Sequence, residues 1–179
     1  MHQTVQIKPQ QKNCIMPAGS FYLKGFTVIE LAVAMAIFGI LITIAIPAMD
    51  NMLLSGRLRS YANDLLASAY LARSEAIKTN SVVRLCASAS GTACDGSWEQ
   101  GWVVLRNDDA LVESHGPLLE GYQVNSVEST LSFRPTGIGA TQTTLTICRV
   151  SPSAGNQERV VTISATGRPS ITKTTNGGC

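Results

Sequence analysis

Histidine is almost missing from this chain: His2 and His115 are the only two among 179 residues. A hydrolytic triad needs a base oriented by an acid, and His115, next to Gly116-Pro117, reads as a surface loop residue rather than such a base. The five cysteines (Cys14, Cys86, Cys94, Cys148, Cys179) lack the paired short spacing of a zinc site. Gly137-Ile138-Gly139 is followed by neither Lys-Ser/Thr nor a helical pattern, so it is no phosphate loop. Asp108-Asp109 puts two carboxylates on a turn, where calcium wants about six to eight oxygens. No catalytic residue, metal or cofactor is expected, and no fixed-period repeat is present.

Charge is scarce too, and unevenly spread. Residues 1–25 carry Lys8, Lys12 and Lys24 and no acid. Without them 11 of the 14 basic residues remain against 12 acidic ones, a net charge of −1. A body this close to neutral argues against wholesale nucleic-acid binding, which would need a local basic patch. From Leu31 to Met49 there is no charge at all.

What is present starts from that uncharged run. GFTVIELAVAMAIFGILITIAIPAM, Gly25 to Met49, has Glu30 as its single charge. As a helix, the part from Phe26 would be about 36 Å long at ~1.5 Å per residue, enough for a bilayer core of ~30 Å. A plain transmembrane anchor fits the length. It leaves Glu30 unexplained, since an ionised carboxylate in lipid is costly and normally has a partner.

Gly25-Phe26-Thr27-Val28-Ile29-Glu30 after a basic leader resembles the prepilin signature of type IV pilins and type II secretion pseudopilins. The resemblance implies that a prepilin peptidase/methyltransferase cleaves after Gly25 and N-methylates Phe26. It also implies that Glu30 neutralises a neighbouring subunit's N-terminal amine as helices pack into a filament. Cation and anion would then satisfy each other in a dry bundle. A secretory signal is the rival, but its apolar core is ~7–15 residues with a small-residue cleavage site just after. A start at Met16 would leave the compact leader MPAGSFYLKG.

The domains expected are a cleaved leader (1–25), a transmembrane and filament-core helix (26–49), its amphipathic continuation (50–80) and a periplasmic β-rich domain (81–179). The helix is expected to run from Phe26 to about Thr79, kinked at Pro47, whose ring removes a backbone donor. After Asp50, Leu54, Leu58, Tyr61, Leu65, Ala69, Ala72 and Ala76 recur at helical steps and call for a sheet to bury against. Asn80 suits a C-terminal cap. Beyond it SVVRLCA, GWVVLR, ALVESH, STLSFRP, TTLTICRV and ERVVTISA are short β-branched runs between turn residues. Asn107-Asp108-Asp109 reads as a hairpin loop. The fold class is α+β, pilin-like: a long N-terminal helix, transmembrane then amphipathic, packed on an antiparallel β-rich domain.

The body also resembles the FimT/GspH group of minor pilins and pseudopilins. The matching segments are Ala72-Arg73-Ser74-Glu75-Ala76-Ile77, Val83 to Cys86, Trp98-x-x-Gly101-Trp102-x-Val104, Phe133 to Gly137, and Gly167-Arg168. Trp98 and Trp102 also read as packing residues, Gly137 and Gly139 as turn glycines. Some members bind DNA through a basic Gly-Arg-x-Arg tail motif. Here the stretch is Gly167-Arg168-Pro169-Ser170, without the second Arg, leaving Arg168, Lys173, Arg149 and Arg159 as DNA-binding candidates of second rank.

With Cys14 in the leader, four cysteines remain in a domain expected to lie in an oxidising space. Four cysteines allow three connectivities. Cys86 and Cys94 bracket a short loop and form the obvious local pair, which leaves Cys148 with Cys179. The leader lysines favour a cytoplasmic N-terminus. The function expected is that of a minor pilin, a structural, low-abundance subunit in the bacterial inner membrane and then at the pilus tip. Its partners would be other minor pilins and the major pilin, with an inner-membrane assembly platform. The alternatives are a type II secretion pseudopilin for protein export, or a DNA-binding tip subunit for natural transformation.

Overall fold

In a computed structural model, residues 25–138, 140–151 and 155–175 are described. The leader lysines, Cys14, Met16, Gly139 and Cys179 lie outside them. The chain divides into two compact units at Ile42/Thr43, and one helix, α1 (Val28–Thr79), contributes to both. α1 remains helical through Pro47.

In the first unit the described residues begin at Gly25, and all of them are exposed. Thr27 caps α1: its Oγ1 accepts the Glu30 N–H at 3.2 Å, and its carbonyl accepts the Leu31 N–H at 3.1 Å. A threonine there satisfies one of the amides that the first turn leaves without an intrahelical acceptor.

In the second unit the amphipathic part of α1 meets two antiparallel sheets. The first is built from β1 (Val83–Ala87), β2 (Trp102–Arg106), β3 (Leu111–His115) and β5 (Thr130–Phe133), in the order β3-β2-β1-β5. The second comprises β4 (Tyr122–Asn125), β6 (Thr143–Arg149), β7 (Glu158–Ile163) and β8 (Pro169–Thr174), in the order β4-β6-β7-β8. A short 3-10 helix, Trp98–Gln100, precedes β2. Each run singled out for its β-branched residues contains a strand. Two further strands, β4 and β8, lie outside those runs, and the surface that α1 buries against is two sheets rather than one.

Leu54, Leu58, Ala62, Leu65, Ala69, Ala72 and Ala76 of α1 form one core with Val83, Leu85, Trp102, Val104, Leu131, Phe133, Leu145, Ile147, Val161 and Ile163. Their three- and four-residue spacing is what turns a helix face toward a sheet. After Leu65 the buried positions switch from leucine to alanine: Ala69, Ala72 and Ala76 are fully buried. Trp102 fills the space beside Ser68, donating its indole N–H to Ser68 Oγ at 3.0 Å. Trp98 donates to the Glu128 carbonyl at 2.9 Å.

β2 is buried on both faces. Trp102 and Val104 face the helix, while Val103 and Leu105 join Cys86 in a second small cluster on the reverse side. There Cys86 is disulfide-bonded to Cys94. The loop they close is organised by Asp95, whose Oδ1 accepts the Ala89 and Ser90 amides at 2.9 and 3.2 Å. The Ser90 hydroxyl first, then those amides, hold its carboxyl below the ordinary aspartate range. Cys148 is buried in β6.

α1 ends as its sequence suggests. Asn80 adopts a left-handed φ of 49°, and the Ser81 N–H reaches back to the Ala76 carbonyl at 3.3 Å, the closure typical of a helix C-terminus. Asp109 of the β2–β3 turn is also left-handed, φ 61°, and pairs with Arg84. His115 departs from the expectation of a surface loop. It is the last residue of β3, opposite Trp102 in register, and its ring stacks on that indole with centroids 3.8 Å apart. Strand pairing, which a reading of local turn residues does not capture, puts it there.

Candidate assembly site

The first turn of α1 is the chemically unusual part of the molecule. Phe26, Val28, Ile29 and Leu31 are 84%, 87%, 71% and 61% exposed. An apolar surface of this extent on a helix needs lipid or other helices around it. α1 is long and apolar enough to cross a membrane by length and composition, with a mean hydropathy of 2.6 over its most apolar 18 residues. Glu30 stands in that surface, and it has no ion-pair partner among the described residues. Thr27 engages the Glu30 amide rather than drawing off its carboxylate. The geometry therefore presents a helical turn with one acid, set directly after the Gly25-Phe26 junction. Thr27 was not anticipated as the cap, although Thr27-x-x-Glu30 has the spacing of a capping box.

At the other end of α1, segments far apart in sequence converge on Arg73. Its guanidinium donates to the Gly137 carbonyl at 3.3 Å. A Cβ added to Gly137 or to Gly167 would lie 3.5 Å from Arg73 atoms. Both glycines have positive φ, 70° and 67°. Arg73 thus ties the β5–β6 and β7–β8 connections to the helix, which explains why three of the motif segments belong together. Glu75, 8% exposed, receives Lys78 at 3.4 Å and Arg106 at 3.5 Å.

The four second-rank DNA candidates do not form one patch. Arg149 makes a bidentate pair with Asp50 at 2.9 and 2.8 Å. Asp50 raises the Arg149 pKa above its ordinary value, chiefly through that hydrogen bond. Arg159 is buried, donating to Ser55 Oγ at 3.1 Å and to the Glu158 carbonyl at 3.0 Å. Lys173 is its register partner on β8. Arg168 precedes β8, five residues beyond the register of Arg159 and toward the opposite end of the strand pair. At ~3.3 Å per strand residue it is on the order of 15 Å away. Among the described residues no group of three or more metal-ligating side chains occurs.

A long N-terminal helix, apolar and exposed first, then packed on antiparallel sheets, defines a pilin-type subunit. The family described as type II transport protein GspH matches residues 61–167, well over half of the chain, and the prokaryotic N-terminal methylation motif matches residues 23–46. The chain belongs to the GspH family. Two crystal forms of the type IV minor pilin FimU from Pseudomonas aeruginosa are similar in fold. One has a TM-score of 0.53 at 23% identity, covering 66% of this chain and 90% of FimU; the other has 0.51 at 24%, covering 64% and 92%. The minor pseudopilin EpsH of the Vibrio cholerae type 2 secretion system has a TM-score of 0.48 at 15% identity, covering 68% of this chain and 98% of EpsH. No curated protein sequence matches the chain.

Proposed function

We propose that this chain is a minor pilin, a structural subunit that helps prime or cap a type IV pilus. One observation carries the reading: a carboxylate, Glu30, with no ion-pair partner among the described residues, in the exposed apolar first turn of the helix that follows Gly25-Phe26. The precursor inserts with its N-terminus cytoplasmic and its β domain periplasmic. Prepilin peptidase cleaves after Gly25 and Phe26 is N-methylated. Glu30 then accepts the N-terminal amine of an adjacent subunit as the helix moves from bilayer to filament core. Other minor pilins, the major pilin and the inner-membrane platform are its partners, and the sheets carry the contacts among subunits. A disulfide between Cys148 and Cys179 belongs to the same proposal, Cys179 lying outside the described residues. The likeness to FimU supports the pilus.

The second reading is a pseudopilin of a type II secretion system, favoured by the family match over residues 61–167. The test is the amount of major pilin sheared from an in-frame deletion strain. A sharp fall restored by complementation supports the pilus role. Unchanged pili with lost exoprotein secretion overturns it in favour of the pseudopilin. DNA binding ranks third, because Arg149 and Arg159 are engaged within the domain and Arg168 stands apart.

A further inference from the structure

A ring of cations surrounds α1 just past its apolar run. Arg57 and Arg59 are exposed and, at ~100° per residue, lie about 200° apart around the helix. Arg59 follows Ser55 by one turn, and Ser55 holds Arg159. Burial and then the nearby Arg59 hold the Arg159 guanidinium below its ordinary pKa. Lys173 pairs with Arg159 in register, so both side chains point to the same face of the second sheet. Arg57, Arg59, Arg159 and Lys173 have no carboxylate partner among the described residues. The acid on this part of the helix, Asp50, is taken by Arg149.

Apolar side chains stay exposed up to the edge of this ring: Met49, Met52 and Leu53 are 62%, 76% and 57% exposed. From Leu53 to Arg57 and Arg59 the helix rises only about 6 and 9 Å. The polar layer flanking a hydrocarbon core is ~5–8 Å deep on each side. Helical Cβ atoms tilt toward the N-terminus, so both arginines lean back toward the apolar run, and their long stems let the guanidinium sit at headgroup level.

We propose that Arg57, Arg59 and Lys173, backed by the buried Arg159, bind the phosphates of anionic phospholipids in the leaflet next to the domain. The ring would fix the depth and tilt of the subunit while it is stored in the membrane. Release from the bilayer would then cost these contacts and be sensitive to lipid charge and salt. A second copy of the chain is a poorer occupant, since its corresponding apolar stretch offers one acid, Glu30. The inference rests on the membrane placement proposed above.

The test uses the full chain in nanodiscs of phosphatidylcholine alone or with about one third phosphatidylglycerol. Amine-reactive labelling of Lys173 is followed by mass spectrometry, with Lys78, exposed at the far end of α1, as internal control. Lys173 should react about fivefold more slowly in the anionic discs, the factor one cation contributes at such a surface. Lys78 should not change. High salt, or Arg57→Gln with Arg59→Gln, should restore labelling. Equal Lys173 rates in the two discs overturn the proposal. Slowing by duplex DNA in neutral discs but not by phosphatidylglycerol overturns it too, and makes the ring a nucleic-acid surface. Hydrogen exchange across 30–46 separates the two ideas. Protection there with no lipid effect at Lys173 sinks the ring alone, while free exchange there sinks the membrane placement and the ring with it.

Discussion

The Trp102 indole lies between two polar neighbours: its N–H donates to Ser68 of α1 at 3.0 Å, and its ring carries His115 in a stack at 3.8 Å. Both Trp102 and Ser68 are at most 2% exposed. A buried donor or acceptor left alone costs roughly 1–3 kcal/mol. Ser68→Ala should therefore destabilise the domain by about that much, and Trp102→Phe by at least as much, since a smaller ring also leaves a void. The double variant should lose clearly less than the sum. Denaturant unfolding of all four proteins checks this, and additive losses would mean the hydrogen bond contributes nothing specific.

Gly101 admits no side chain. Its φ is 121°, and a Cβ would come within 2.4 Å of the His115 carbonyl oxygen. Gly101→Ala must displace the β2–β3 pairing, a cost of several kcal/mol once backbone strain and the clash combine. Gly116→Ala, with nothing within 4 Å of the added atom, is the matched control and should be near neutral. Similar melting of the two variants would contradict the reading.

Much of this molecule was legible because its signals are local. The leucine-to-alanine stripe, the Asn80 cap and six strands follow from periodicity and turn chemistry within a few residues. β4 (YQVN) and β8 (PSITKT) carry little of that signal and are strands because β6 and β7 offer them edges. His115 and Arg73 were opaque for the same reason: what each touches comes from another element. At the candidate assembly site Glu30 announces itself as a lone charge in an apolar run, whereas the proposed cation ring draws on α1, β7 and β8 and comes together only on folding.

The loop between Cys86 and Cys94 is held twice, by the disulfide and by Asp95. Replacing both cysteines with serine should cost about 2–4 kcal/mol, read by denaturant unfolding. Intact stability after that change or under reductant would show that the bridge is dispensable.

Asp50 and Arg149 link the start of the packed helix to the end of β6. The hydrogen bond from Arg149 lowers the Asp50 pKa. A carboxyl depressed by folding contributes stability above its unfolded value of ~3.9, and that contribution fades as pH falls through the folded value. Wild type should thus melt above Asp50→Asn at neutral pH, and the two curves should converge as the pH drops well below 4. A constant gap down to the lowest pH would mean that Asp50 acts through something other than its charge.

Glu30 and Thr27 separate folding from assembly. Thr27→Ala removes the cap and should cost about 0.5–2 kcal/mol of local helix stability, fraying the first turn while leaving the acid in place. Glu30→Val keeps the cap and removes the charge that an incoming amine would need. The valine variant should be processed after Gly25 and held in the membrane, yet enter filaments poorly. Because truncating one partner of a desolvated ion pair leaves the other charge uncompensated, Glu30→Gln should fail nearly as badly despite its similar size and polarity. The measurement is the ratio of variant in sheared filaments to variant in membranes, with mass spectrometry of the N-terminus. Normal incorporation of Glu30→Gln would show that shape, not charge, places the subunit, and the role assigned to Glu30 would have to be given up.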